Sequence, residues 1–346
     1  MSEIAALVHQ LRTSRGFAHK RDIGEALGVL SRALPGGGAA LAQAVAVGDD
    51  CAAIADPRDP QGGHLLFAIE GFMDDFVAAM PWFAGWSGVM VNLSDIAAMG
   101  GRPIAVVDAL WSADAAAGAP VLQGLAAASS AYGVPIVGGH TNHRSARSSL
   151  AVAVLGRATK LLSSFNARPG DELIMAVDLR GRFEDPHPFW NAATKGTQPA
   201  PPEQLRADLA LLAEIAEQGL ADAAKDISMA GTLGTAIMLL ECSQVGAQID
   251  IDAIPRPAVV ADGTVPLQRW LQAFPSYGYL LSVRPVHAAA VREKFSARGI
   301  AAATIGRVTA APEVVLQQGA QTAQLWNVAT ENFIAPARTD DEAALV

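Results

Sequence analysis

A chain of 346 residues, 51% of them apolar, is long for one domain and comfortable for two cores. A formal net charge of −9, with the stretch Arg12 to Arg21 as the one basic run, excludes nucleic acid as the main partner, because tracking phosphates requires clustered Lys and Arg. No window reaches the roughly 18 uninterrupted apolar residues of a membrane span. The opening Met-Ser-Glu-Ile lacks the layout of a signal peptide, and Cys51 and Cys242 cannot form a secreted disulfide framework. A cytoplasmic protein without a membrane partner is expected.

In chain order, residues 2–11 and 22–34 read as helices, the second stopped by Pro35-Gly36-Gly37-Gly38. Short apolar stretches at 43–47, 64–69, 104–110, 134–137 and 150–155 match strands, with helix-like stretches at 84–99 and 116–132 between them. The pattern breaks over 163–170, where Asn166-Ala167-Arg168-Pro169-Gly170 precedes a new strand at 172–177. This places a domain boundary between residues 162 and 163. Beyond it come a proline-rich loop over 180–202, long enough for a lid, then helices at 203–218, 227–243 and 286–298 and strands at 279–283 and 301–308. The expected architecture is α/β (α+β): one domain over 1–162, a second over 163–335, and a disordered acidic tail over 336–346.

Five places carry chemistry. Gly48-Asp49-Asp50 sets adjacent carboxylates after a strand, either to hold a hard cation or as an exposed acidic turn. Glu70 ends a strand, as a ligand or a rim residue. Asn92 and Asp95 lie three apart on a helix among small apolar residues, as a metal or nucleotide site or a hydrogen-bonded structural pair. Gly138-Gly139-His140-Thr141 follows a strand, as a phosphate cradle or a tight turn. Asp226 and Ser228 precede a helix, as ligands or its N-cap. Cys51, beside two acids, reads as a packed residue rather than a nucleophile. Phe72, Phe76, Trp82, Phe83 and Trp86 read as core or subunit interface, with a stacked flat ligand as the second reading.

In combination, Gly48-Asp49-Asp50, the run from Asn92 to Pro103 (Asn-Leu-Ser-Asp-Ile-Ala-Ala-Met-Gly-Gly-Arg-Pro), Gly138-Gly139-His140-Thr141 and Asp226-Ile227-Ser228 resemble the AIR synthase (PurM-like) superfamily in order and spacing. The likeness spans nearly the whole chain, with motifs nearest to thiamine-monophosphate kinase. It implies two PurM-like domains, a homodimer formed through the N-terminal sheets, and ATP with Mg2+ in the cleft between domains. It further implies Asp49, Asp50, Glu70, Asp95 and Asp226 as metal ligands, and Lys20, Asn92, Gly138, Gly139, His140, Thr141 and Ser228 around the nucleotide. No residue is singled out as catalytic. The implied activity is transfer of the γ-phosphate of ATP to an oxygen of a small metabolite; the alternative is a nucleotide-binding regulatory or scaffold subunit that has lost catalysis. The departures are specific. Glu70, His140 and Met229 stand where the resembled pattern carries Asp, and His19-Lys20 lacks the reactive cysteine of selenophosphate synthetase.

Overall fold

The computed structural model describes residues 2–33, 48–60 and 62–335. The expected strand at 43–47, the stop at 35–38 and the tail at 336–346 lie outside the described residues. A first sheet has five strands in the order Ala52–Ala55, His64–Phe72, Ser149–Ala158, Arg102–Trp111, Ile136–Asn142. Only the last pair is parallel, and the helix Ala115–Tyr132 makes the crossover that such a pair requires. Asp114 caps that helix, its Oδ1 accepting from Ala117 N at 2.8 Å.

The helix Pro81–Ala98 is apolar nearly all round, the pattern of a helix surrounded by protein, and almost every residue in it is buried. Two glycines set its approach to Ala115–Tyr132. A Cβ on Gly85 would stand 2.0 Å from Val121 O, and one on Gly124 would stand 1.9 Å from Trp82 O. The helices therefore meet backbone to backbone, which holds Pro81–Ala98, the carrier of Asp95, in a fixed position under the sheet. Among the described residues nothing covers the opposite face of the sheet: Ile69 is 64% exposed, Val137 65% and Phe67 49%.

A second sheet has seven strands in the order Ala223–Asp226, Gly278–Val283, Glu172–Val177, Ala301–Thr309, Gly246–Asp250, Glu313–Gln318, Gln321–Asn327. Leu211, Leu212 and Ile215 of helix Pro202–Glu217 and Val291 and Phe295 of helix Pro285–Ser296 pack on one face. Helix Gly231–Cys242 packs on the other, together with Ile4, Val8, Leu11 and Phe17 of the N-terminal helices Glu3–Arg12 and Arg15–Ala33. Phe17 meets Phe333 at 5.0 Å between ring centroids, and Arg12 Nη1 donates to Leu325 O at 2.9 Å. The N-terminal helices thus rest on the second sheet, and this carries Lys20 toward the space between the two sheets.

Three sequence expectations change. The helix expected over 227–243 begins at Gly231, whose φ of 68° turns the chain there, and no side chain caps it; Asp226 instead closes a strand. Neither Asp226 nor Ser228 is an N-cap. The segment 180–202 is no open lid: Phe189–Asn191 pairs with Arg182–Phe183 and with Phe274–Pro275 to form a small sheet. The strands Gly246–Asp250, Glu313–Gln318 and Gln321–Asn327 go beyond the sequence reading.

Candidate functional site

Between the sheets lies a cavity of about 300 Å³. At one end Asp50, Asp95 and Asp226 converge, each offering an oxygen within 4.8 Å of the others. They come from three elements: the turn after Gly48, the helix Pro81–Ala98 and the end of strand Ala223–Asp226. Asp95 Oδ2 is buried with no hydrogen-bond partner among the described residues, and so is Ser228 Oγ, which also lines the cavity. An isolated buried carboxylate oxygen is costly. Three carboxylates converging on such an atom match the all-oxygen ligand set of a hard divalent cation.

Adjacent in sequence, Asp49 and Asp50 have different tasks. Gly48, at φ 132°, allows a turn that an L side chain would strain. Asp49 then points into the chain, where Ser163 Oγ donates at 2.8 Å, Ser164 N at 2.9 Å and Ser164 Oγ at 2.6 Å. Both its oxygens are engaged within the protein, so it fastens the turn to the segment after the first sheet. Asp50 Oδ1 is bonded to Lys225 Nζ, and Asp50 Oδ2 accepts from Asp226 N at 3.3 Å. Lys225 is itself buried, with Asp49 4.0 Å away. Lys225 is a site residue that the sequence does not single out; its one signal is a positive charge directly before Asp226.

Glu70 lies at the exposed rim of strand His64–Phe72 and lines the cavity, as does Lys20. Asn92 is fully buried but absent from the cavity wall, its Nδ2 donating to Gly88 O at 2.8 Å. Gly138, Gly139, His140 and Thr141 sit on the exposed edge strand. Glu70, Val152, Asp108 and Gly139 are successive register partners, so three strand spacings, roughly 14 Å, separate the edge segment from Glu70. Within one chain these four residues do not reach the cavity. His140 contacts Trp111 instead, at 5.9 Å between rings. Cys51 is buried, and burial followed by Asp95 pushes its thiol well above the ordinary range, in keeping with a packed residue.

Burial, then Asp226, Glu70 and Asp50, push Asp95 well above the usual carboxylate range. Burial and then Asp50 push Asp226 up to about 8, against Lys225 and Lys20. Asp50 is raised by burial as well, with Lys225 opposing; Glu70, exposed over its residue as a whole, is raised by desolvation of its carboxyl where it faces the cavity, with Lys20 opposing. A raised carboxyl pKa means that the folded chain keeps protons the unfolded chain has lost above about pH 4, so the associated stability declines as pH rises toward 8. In EDTA, denaturant titrations are expected to show stability falling between about pH 5 and 8, on the order of 3 kcal/mol for a shift of this size. Mg2+ should restore more at the upper end, because ligation requires deprotonated carboxylates. A flat profile in EDTA, or an equal Mg2+ effect at both ends, would contradict this account of the cluster.

The chain is similar to known proteins in sequence and in fold. Residues 48–158 match the family described as AIR synthase related protein, N-terminal domain, and residues 178–319 match its C-terminal domain. The uncharacterized protein sll0787 of Synechocystis sp. is 44% identical over 323 residues, 93% of this chain and 95% of that protein. A thiamine-monophosphate kinase of Synechococcus elongatus is 29% identical over 304 residues, 80% of this chain and 87% of the kinase. Among solved structures, Thermotoga maritima PurL complexed with ADP superposes with a TM-score of 0.72 at 18% identity, covering 98% of this chain and 53% of the PurL chain. This chain thus spans about half the length of PurL, and the likeness at that identity is one of fold. With both family halves matched in order and a 44% identical relative aligned over nearly its full length, this chain belongs to the AIR synthase-related family and has its two-part, PurM-like α/β fold.

Proposed function

We propose that this protein binds ATP with Mg2+ between its two sheets and transfers the γ-phosphate to an oxygen of a small metabolite. The observation that carries the reading is the convergence of Asp50, Asp95 and Asp226 on an unpartnered buried carboxylate oxygen. In this reading those three residues hold the cation, with Glu70 at the rim. Bound there, Mg2+ would neutralise phosphate oxygens and help keep the transferring group in line. Lys20 supplies positive charge for the phosphate chain at the cavity wall, and Ser228 Oγ a free hydroxyl. Lys225 holds Asp50 in position. In the transfer, the acceptor oxygen bonds to the γ-phosphorus as the bond to the β,γ-bridging oxygen breaks; ADP leaves with that electron pair, and a hydroxyl acceptor releases its proton to water.

Relatives support the class of chemistry, one being a thiamine-monophosphate kinase and another a selenide, water dikinase, while PurL has been solved complexed with ATP. Calorimetric titration of ATP is expected to show saturable binding with Mg2+ and none with EDTA. Absence of binding in both would overturn the reading. Binding with Mg2+ but no turnover of any acceptor would favour a scaffold role, to which Met229 at the cavity wall, 40% exposed, gives a specific motive: a thioether there cannot ligate Mg2+ as a carboxylate does.

The uncovered sheet face, with Phe67, Ile69, Val107, Val137 and Leu155 exposed, fits a second copy of the chain, and His140 lies at its edge. Ile69→Lys, a charge at the middle of that face, is expected to shift the protein from dimer to monomer in sedimentation equilibrium with an unchanged circular dichroism spectrum. A dimer that tolerates the lysine would place the contact elsewhere.

A further inference from the structure

The cavity has a second end that the phosphotransfer chemistry does not use. Along helix Pro81–Ala98, Phe83, Ser87, Met90, Val91 and Asp95 all line the wall, so one helix face runs from rings to carboxylates. Phe83 and Asp95 are twelve residues apart, roughly 18 Å along the helix axis. Phe76 meets Phe83 at 6.1 Å, Phe72 at 6.2 Å and Phe189 at 5.0 Å, and Phe189 meets Phe274 at 5.8 Å, all between ring centroids. Phe72, Phe76 and Phe83 come from the first half of the chain, whereas Phe189 and Phe274 are register partners in the small sheet of the second half. Both halves thus supply rings to one end of one cavity. Phe72, Phe189 and Phe274 are only partly buried, which leaves ring surface for a ligand.

The charged residues on the wall are Lys20, Asp49, Asp50, Glu70, Asp95, Lys225 and Asp226, all belonging to the carboxylate end or its partners. Among the described residues that line the cavity, none at the ring end is Arg or Lys. A phosphate or carboxylate on a ligand would lose its water there without gaining a cation. Ser87 and Ser276 are its buried polar residues; Ser276 Oγ accepts from Ala192 N at 2.9 Å and keeps its own hydrogen to donate.

We infer that the phosphate acceptor is a ring-containing molecule without a phosphate or carboxylate of its own, which packs its flat apolar body among Phe72, Phe76, Phe189 and Phe274 and turns a hydroxyl or amide oxygen toward Asp95. This assignment rests on the proposed ATP-dependent transfer for the word acceptor, whereas the ring site itself does not. The test is calorimetric titration of the full chain with benzyl alcohol and benzamide. Benzoate and benzyl phosphate serve as anionic controls, cyclohexylmethanol as a non-aromatic one, and ATP with Mg2+ is titrated in parallel. The neutral aromatic probes are expected to bind at least about tenfold more tightly than each control, and Phe189→Ala and Phe76→Leu to weaken them roughly tenfold while ATP affinity stays within about twofold. Circular dichroism and thermal melting identify a variant that fails to fold, and the wild-type probe ranking needs no variant. Equal or tighter binding of any control overturns the assignment. So does a matching loss of ATP affinity in the phenylalanine variants, which would make the rings an adenine site. Ring probes that bind where ATP with Mg2+ does not would retain the ring site and remove the transfer reading; the reverse result would retain the transfer and remove the ring site.

Discussion

Asp95→Asn is expected to lower Mg2+-dependent ATP affinity by about a hundredfold or more, equivalent to roughly 2.7 kcal/mol, and at the same time to leave the metal-free protein as stable as the wild type or more so. Both halves follow from one geometry. Asp95 is 6% exposed, its Oδ2 has no partner among the described residues, and Asp226, Glu70 and Asp50 crowd it with like charge. In the metal-free fold this carboxylate costs stability, and a neutral amide of the same shape relieves the repulsion. With a cation the sign reverses, since the amide contributes no charge to the ligand set. Asp226→Asn should follow the same pattern. Asp49→Asn should not: its oxygens serve Ser163 and Ser164, so its loss should appear as lowered stability with smaller effect on the affinity of the folded fraction. Calorimetry with Mg2+ and thermal melts in EDTA separate these outcomes. If Asp95→Asn lowers the EDTA melting temperature and leaves ATP affinity unchanged, the cluster is structural.

Lys225→Met is expected to destabilise the fold by about 3–5 kcal/mol, the usual cost of removing one partner from a buried ion pair. Lys225 is 3% exposed and bonds Asp50, with Asp49 at 4.0 Å. Burial opposes its charge, but Asp50 and Asp49 outweigh that and hold its pKa above the ordinary value. Methionine keeps the length of the stem and leaves two buried carboxylates without a counter-charge. The double variant Lys225→Met with Asp50→Asn should recover much of the loss, and the double-mutant cycle measures the coupling. Additive losses in urea titrations would show that the pair is not coupled and that Lys225 acts through packing alone.

The sequence was most legible where a distinctive residue type stands at a fixed local spacing. Gly48-Asp49-Asp50, Asp95 ahead of Gly100-Gly101, and Asp226-Ile227-Ser228 pointed to an acidic, cation-holding centre, and three of those carboxylates converge. Periodicity with Gly and Pro boundaries gives strands at 64–69, 104–110 and 150–155 and helices at 84–99 and 116–132, against observed strands at 64–72, 102–111 and 149–158 and helices at 81–98 and 115–132. The strand Ala223–Asp226 was not, because Ala-Ala-Lys-Asp has neither β-branched residues nor alternation; its place beside Gly278–Val283 comes from pairing and burial. Nor did spacing reveal that Asp49 turns to Ser163 and Ser164 while its neighbour turns to Lys225, 175 residues away.

Composition and local spacing by themselves determined the two-sheet α/β class, the absence of any long apolar span, and the acidic residue types of the candidate site. Tertiary structure decided which acids share a space, which one serves as a structural fastener, that Asn92 and the 138–141 segment stand apart from the cavity within one chain, and that rings from both halves close its far end. The physical reason is the range of the forces involved. Periodicity, capping and glycine geometry act within a turn or two of chain, whereas burial of a carboxylate, pairing of a buried lysine and packing of rings depend on neighbours brought together by the whole fold.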